Sequence, residues 1–145
     1  MVTRFISLLL VALVFVRTSA ADEEGAMRAS KPDVRKRIVA TIDAQLEAFR
    51  RQDFERAYAY SATDLRAQKP LQVFVAIVRT NYPEIWANTR AEYGIVRDDG
   101  ETAKLLVHVF AQDADASYDY ELVRERAGWR IHGVLRHDPT KEEKV

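Results

Sequence analysis

Between residues 34 and 82 the apolar positions recur every three or four residues, and beyond residue 88 they recur every second one. The first spacing lines one face of a helix and the second one face of a strand, so the chain predicts helices followed by sheet. Val34, Ile38, Ile42, Leu46 and Phe49 form the first stripe, with Arg35, Asp43, Glu47 and Arg50 on the other side. Ser30-Lys31-Pro32-Asp33 reads as its start, with Ser30 as the cap, Pro32 in the first turn and an acid near the positive end of the dipole. Asp53 is a candidate cap for a second helix carrying Phe54, Ala57 and Tyr58 on one face. Ser61 and Asp64 favour a short turn or helix through Gln68. Pro70 opens a third helix, striped by Leu71, Phe74, Val75, Val78 and Tyr82, and Pro83 ends it.

Four alternating segments follow, at 89–97, 103–111, 117–125 and 129–136. Asp99-Gly100 and Arg126-Ala127-Gly128 are tight-turn sequences and QDADA a longer loop, which makes the strands an antiparallel meander. The expected fold class is α+β, with three N-terminal helices packed on one face of a curved meander of about four strands. One domain over residues 30–137 accounts for all of these elements, flanked by an unstructured lead at 21–29 and a polar tail at 138–145.

Side-chain direction in the last hairpin depends on the length of its turn. An even loop at Ala127-Gly128 gathers Trp129, Ile131 and Leu135 on the core side with Tyr118, Tyr120, Leu122 and Arg124, and sends His132 and Val134 outward with Val123. A three-residue loop ending in Gly128 reverses one strand, sets His132 across from Leu122 and places Arg124 opposite Arg130. Like charges directly opposite one another destabilise a sheet, so the even loop is preferred.

Composition adds a compartment. Residues 1–20 carry Arg4, an apolar run from Phe5 to Val16 broken only by Ser7, and the small residues Thr18 and Ala20. This is the pattern of an export signal cleaved near Ala20, since the run is shorter than the roughly 20 residues a spanning helix requires. Cleavage removes two arginines and no acid, leaving 20 basic against 22 acidic residues. Such a balance provides no footprint for nucleic acid or for an anionic membrane, and after cleavage no membrane association is expected. The chain has no cysteine, which excludes a lipid-anchored cysteine, disulfides and thiolate chemistry.

IDAQLEAFRRQDFERAYAYSA resembles the opening helices of the nuclear transport factor 2-like superfamily, GWRIHGVL resembles its closing strand, and the order of elements is similar. FVAIVRTNYPEIW is similar to an exported bacterial branch of uncharacterised function; the resemblance spans roughly residues 34–136. It implies a cystatin-like cone, in which a strongly bent sheet wraps a long helix around an open cavity. The superfamily includes ketosteroid isomerase, scytalone dehydratase and polyketide cyclases beside members that only bind ligands or proteins. Its enzymes bury an Asp or an Asp-His pair beside tyrosines, a constellation with no residue-by-residue match in this chain.

The candidate chemistry is correspondingly sparse. His108, His132 and His137 show no metal-ligand spacing, and there is no glycine-rich phosphate loop or GxSxG elbow, so neither a metal nor a cofactor is expected. Arg124 is either a snorkelling arginine stacked on Trp129 or a carboxylate-binding arginine at the cavity mouth. Tyr58, Tyr82, Trp86, Tyr118, Tyr120 and His108 complete the candidate lining for a small apolar or aromatic ligand. A cavity lyase or isomerase using His108 or a tyrosine is the catalytic alternative, with no catalytic residue assigned. A third reading is a homodimer through the outer sheet face at Val123, His132 and Val134.

Overall fold

The computed structural model describes residues 26–141, so the export segment read over residues 1–20 lies outside the described residues. The apolar stripe of the first helix becomes α1 (Pro32–Arg50), which buries Ile38, Ile42, Leu46 and Phe49. Pro32 sits in its first turn, where the missing N–H costs nothing. The cap differs from expectation: Lys31 holds that position without a side-chain bond, and the Ser30 hydroxyl donates instead to Asp98. Asp53 does cap α2 (Phe54–Ala59), accepting the Arg56 N–H at 3.2 Å.

Beyond it lie α3 (Thr63–Gln68), α4 (Leu71–Asn81) and the short α5 (Pro83–Trp86). The described helices therefore exceed the three expected. Pro83 cannot continue α4 but is well suited to start a new turn, so it ends one helix and opens the next.

The strands are β1 (Arg28–Ala29), β2 (Arg90–Tyr93), β3 (Arg97–Asp98), β4 (Thr102–Phe110), β5 (Asp115–Glu125) and β6 (Gly128–Arg136). They form one antiparallel sheet in the order β1-β3-β4-β5-β6, with β2 also paired to β4. Two expectations are corrected here. The lead is not unstructured at its end, because Arg28 and Ala29 pair with Asp98 and Arg97. The strand expected at 89–97 is divided around Gly94, whose N–H meets the Leu106 carbonyl at 2.9 Å while a Cβ would lie only 3.1 Å from that oxygen.

Alternation in β4 and β5 turns Leu105, Val107, Tyr118, Tyr120 and Leu122 onto the α1 stripe, and these side chains form the core. The Tyr120 hydroxyl is sealed in this core without a hydrogen-bond partner among the described residues. An unsatisfied buried hydroxyl is a net cost, so Tyr120→Phe is expected to stabilise the domain by up to about 1 kcal/mol, read as a higher urea midpoint.

The last hairpin has an even turn, but one residue earlier than expected. Arg126-Ala127 forms the turn, Glu125 faces Gly128, Arg124 faces Trp129 and Leu122 faces Ile131. Next along β5, Glu121 faces Gly133, so His132 is an extra residue on β6. Past this bulge Tyr120 faces Val134 and Tyr118 faces Arg136. The bulge reverses the expected directions: Val134 packs against the core, and Leu135, expected inside, is 71% exposed. The free edge of β6 is covered by the chain after α2, with Ile131 N–H donating to the Tyr60 carbonyl and Ala62 N–H to the Ile131 carbonyl, both at 2.8 Å.

Candidate functional site: a cavity at the bulged edge strand

Covering the β6 edge only in part leaves a space between that strand and the helices. The cavity has a volume of about 380 Å³ and lies between α1 (Gln45, Phe49), the α2–α3 segment (Tyr58, Ser61, Leu65, Lys69), α4 (Phe74, Ile77, Val78) and β6 (Ile131 through Leu135), with Tyr82 and Ile85 completing it. That volume falls within the usual range of small-molecule sites, and most of the lining is aliphatic or aromatic.

Its two tyrosines hold the walls together. Tyr82 donates to the Val134 carbonyl at 2.7 Å, fixing β6 beyond the bulge, and burial raises its pKa. The single Tyr58 hydroxyl proton is shared between the carbonyls of Arg66 and Lys69, which lie 2.8 and 2.6 Å from the oxygen. These are end groups of α3 that the helix itself leaves unpaired.

His132 is brought to the cavity by the bulge and is latched to α3 there. Its Nε2 lies 2.9 Å from Asp64 Oδ2, and Nδ1 faces Glu121 Oε1 at 3.6 Å. The Asp64 hydrogen bond raises the imidazole pKa above its usual value, against the opposing effect of burial, and the same bond lowers that of Asp64. Stabilisation by His132 is therefore complete below its unfolded value near 6.5 and is lost as pH rises through the raised folded value. Stabilisation by Asp64 is present above 3.8 and is lost as pH falls through its lowered value, so the latch is strongest in mild acid. Asp64→Asn is expected to bring the His132 titration back toward 6.5, followed by the imidazole Cε1 proton in NMR; an unmoved titration would refute the assignment.

A second polar cluster stands on the core side of the strand beyond the bulge. Buried Glu84 accepts the Tyr118 hydroxyl at 2.5 Å and both Arg136 Nη groups at 3.1 Å. Burial works to raise the Glu84 pKa, but the bonds from Tyr118 and Arg136 outweigh it and hold the carboxylate ionised. Burial and the neighbouring carboxylate raise that of Tyr118. The cluster fastens α5 to β5 and β6, and each carboxylate oxygen is already bonded.

Of the candidate lining residues, Tyr58 and Tyr82 reach the cavity. Tyr118 and Tyr120 belong to the core. Trp86 stacks on Phe54 at 4.9 Å in an adjoining aromatic cluster with Phe49. Arg124 is exposed at the hairpin end, 3.5 Å from the Gly100 carbonyl, among residues that do not line the cavity. His108 is on the outer sheet face, bonded to Ser117 Oγ at 2.7 Å and to Asp115 at 2.6 Å.

The outer-face trio also changes: Val123 stays on that side, facing Thr102 and Arg130, whereas His132 and Val134 line the cavity. Gln45, Ser61 and Ile77 line the cavity without being among the candidate lining residues of the sequence. The signal for His132 was Gly133 beside it, because a glycine inside a strand often marks a bulge.

Among the described residues, no three His, Cys, Asp or Glu side chains form a metal-binding group, and no helix is long and apolar enough to cross a membrane. No curated protein and no solved structure gives a significant match to the chain. A family model does match, over residues 31–144, and the chain belongs to the family described as Domain of unknown function (DUF4864).

Proposed function

We propose that this domain binds one small, largely apolar or aromatic molecule in the cavity beside β6. The observation that carries this is a space of about 380 Å³ with mainly hydrocarbon walls, among them Phe49, Phe74, Ile77 and Val78. Binding is favoured over proton-transfer catalysis because the histidine and the two tyrosines that line the space are already engaged. His132 is held by Asp64, and the phenols of Tyr58 and Tyr82 donate to backbone carbonyls. The order of elements and the long α1 against the sheet support a place in the nuclear transport factor 2-like superfamily, with export as the route to the site of action. Titration with the neutral fluorophore N-phenyl-1-naphthylamine should give saturable one-to-one binding. Ile77→Trp, which fills the space, should weaken that binding at least about tenfold. No saturable binding by the native domain would end this proposal.

The outer sheet face favours a second property, self-association. Ile95, Leu106 and Leu135 are exposed there at 70%, 38% and 71%, around a shallow groove with Arg97 and Lys104 on one side and Asp119 and Glu121 on the other. A two-fold axis along the strands would set each basic side against the partner's acidic side. Light scattering should then show a dimer that Leu106→Asp converts to a monomer; a monomeric native domain would refute it.

A further inference from the structure

We propose that the molecule held in the cavity carries a hydroxyl group, an alcohol or a phenol, bonded by Gln45 and Ser61. This rests on the cavity-binding proposal above and concerns the polar end of that ligand. Gln45 and Ser61 are 5% and 4% exposed and both line the cavity. The Gln45 amide is oriented by its surroundings: Nε2 donates to the Ala57 carbonyl at 2.9 Å, and a carbonyl can only accept, so Oε1 is left as an acceptor.

Ser61 is fixed by backbone bonds around it, from its own N–H to the Tyr58 carbonyl at 3.0 Å and through its pairing with Ile131. No described residue bonds to the Ser61 hydroxyl or to Gln45 Oε1. The sealed, unpartnered side-chain atoms of the described residues are Arg66 Nε and Tyr120 Oη. Ser61 Oγ and Gln45 Oε1 are not among them, so neither is sealed, and both residues line the cavity.

Buried polar groups in native proteins are nearly always bonded, and an unmatched pair in an apolar wall calls for a partner that enters with the ligand. Gln45 Oε1 needs a donor, which rules out a ligand ketone, ether or carboxylate as its partner. A cationic amine would donate, but at the cost of placing a charge among hydrocarbon walls. A hydroxyl donates to Gln45 and accepts from Ser61, meeting both needs without charge.

Isothermal titration calorimetry with 2-naphthol and 2-methoxynaphthalene tests this, because the methyl ether keeps the rings and removes the donor. The native domain should bind 2-naphthol at least about tenfold more tightly than the ether. Gln45→Met should narrow that gap, whereas Ser61→Ala, which leaves the backbone bonds in place, should weaken both probes, because the ether oxygen also accepts from Ser61. Equal affinity for the two probes overturns the proposal, as does a gap that persists in Gln45→Met, or Ser61→Ala binding both probes as tightly as the native domain. If N-phenyl-1-naphthylamine binds but neither naphthalene does, the hydroxyl assignment fails alone. If that fluorophore also fails to bind, the cavity proposal falls with it.

Discussion

Val134→Asp is expected to destabilise the domain by about 3 kcal/mol, whereas Leu135→Asp changes its stability by no more than about 0.5 kcal/mol. Uninterrupted alternation from Trp129 and Ile131 would require the reverse order. Because His132 is an extra residue, Val134 faces Tyr120 and packs on the core, and Leu135 is 71% exposed beside Asp119. A carboxylate at 134 would stand in a mainly apolar cavity wall that includes Ile131, Val78 and Ile85, and at 135 it would stand in water. Urea unfolding in dilute solution, where self-association does not enter, compares the two. A Leu135 variant hit harder than the Val134 variant would show that the bulge is absent.

Glu84→Ala should cost about 2–3 kcal/mol. The substitution orphans the buried Tyr118 hydroxyl and removes the anchor of Arg136, and leaving a buried polar group unbonded costs about 1–3 kcal/mol by itself. The Arg136 side chain is 56% exposed, so its share of the ion pair is screened by solvent and the total stays below that of a fully buried pair. Arg136→Ala is accordingly expected to be milder, because Glu84 keeps its bond from Tyr118. With its carboxyl held below the ordinary value of 4.5, Glu84 contributes stability above that value and loses it as pH falls through the lowered one. Native and Glu84→Ala proteins should therefore converge in stability toward strong acid. A constant difference across pH would place the stabilisation in packing instead.

Much of the fold was legible because local rules decide it. The α1 stripe, the Asp53 cap, the break at Pro83 and the pairing of β4 with β5 follow from spacing, capping chemistry and short loops. The Ser30 cap did not follow, since the hydroxyl had a competing partner in Asp98, distant in sequence. The turn at Arg126-Ala127 kept the expected parity near the hairpin, which is why Trp129 and Ile131 are inward as read. Four residues later the parity had changed.

The candidate site was less legible for the same reason. Tyr58 and Tyr82 were named as aromatic residues on helical stripes, a feature that sequence reports well. Arg124 and His108 were named for their chemistry, and chemistry alone does not say which side of a sheet a residue faces. Gln45 and Ser61 looked like an ordinary helix residue and an ordinary turn residue. Only their burial beside an open space gives them meaning.

By itself, then, the amino-acid sequence determined the α+β order of elements, the apolar stripe that becomes the core and the even turn of the last hairpin. Each depends on neighbours a few residues away, and the energies of helices, caps and turns are local. The tertiary structure decided the bulge at His132, the inward direction of Val134 and Arg136, and the cavity at the edge of β6. A bulge adds one residue where cross-strand pairing and helix packing together favour it, and the partners that set that balance, Tyr82 and Glu84, lie about fifty residues away.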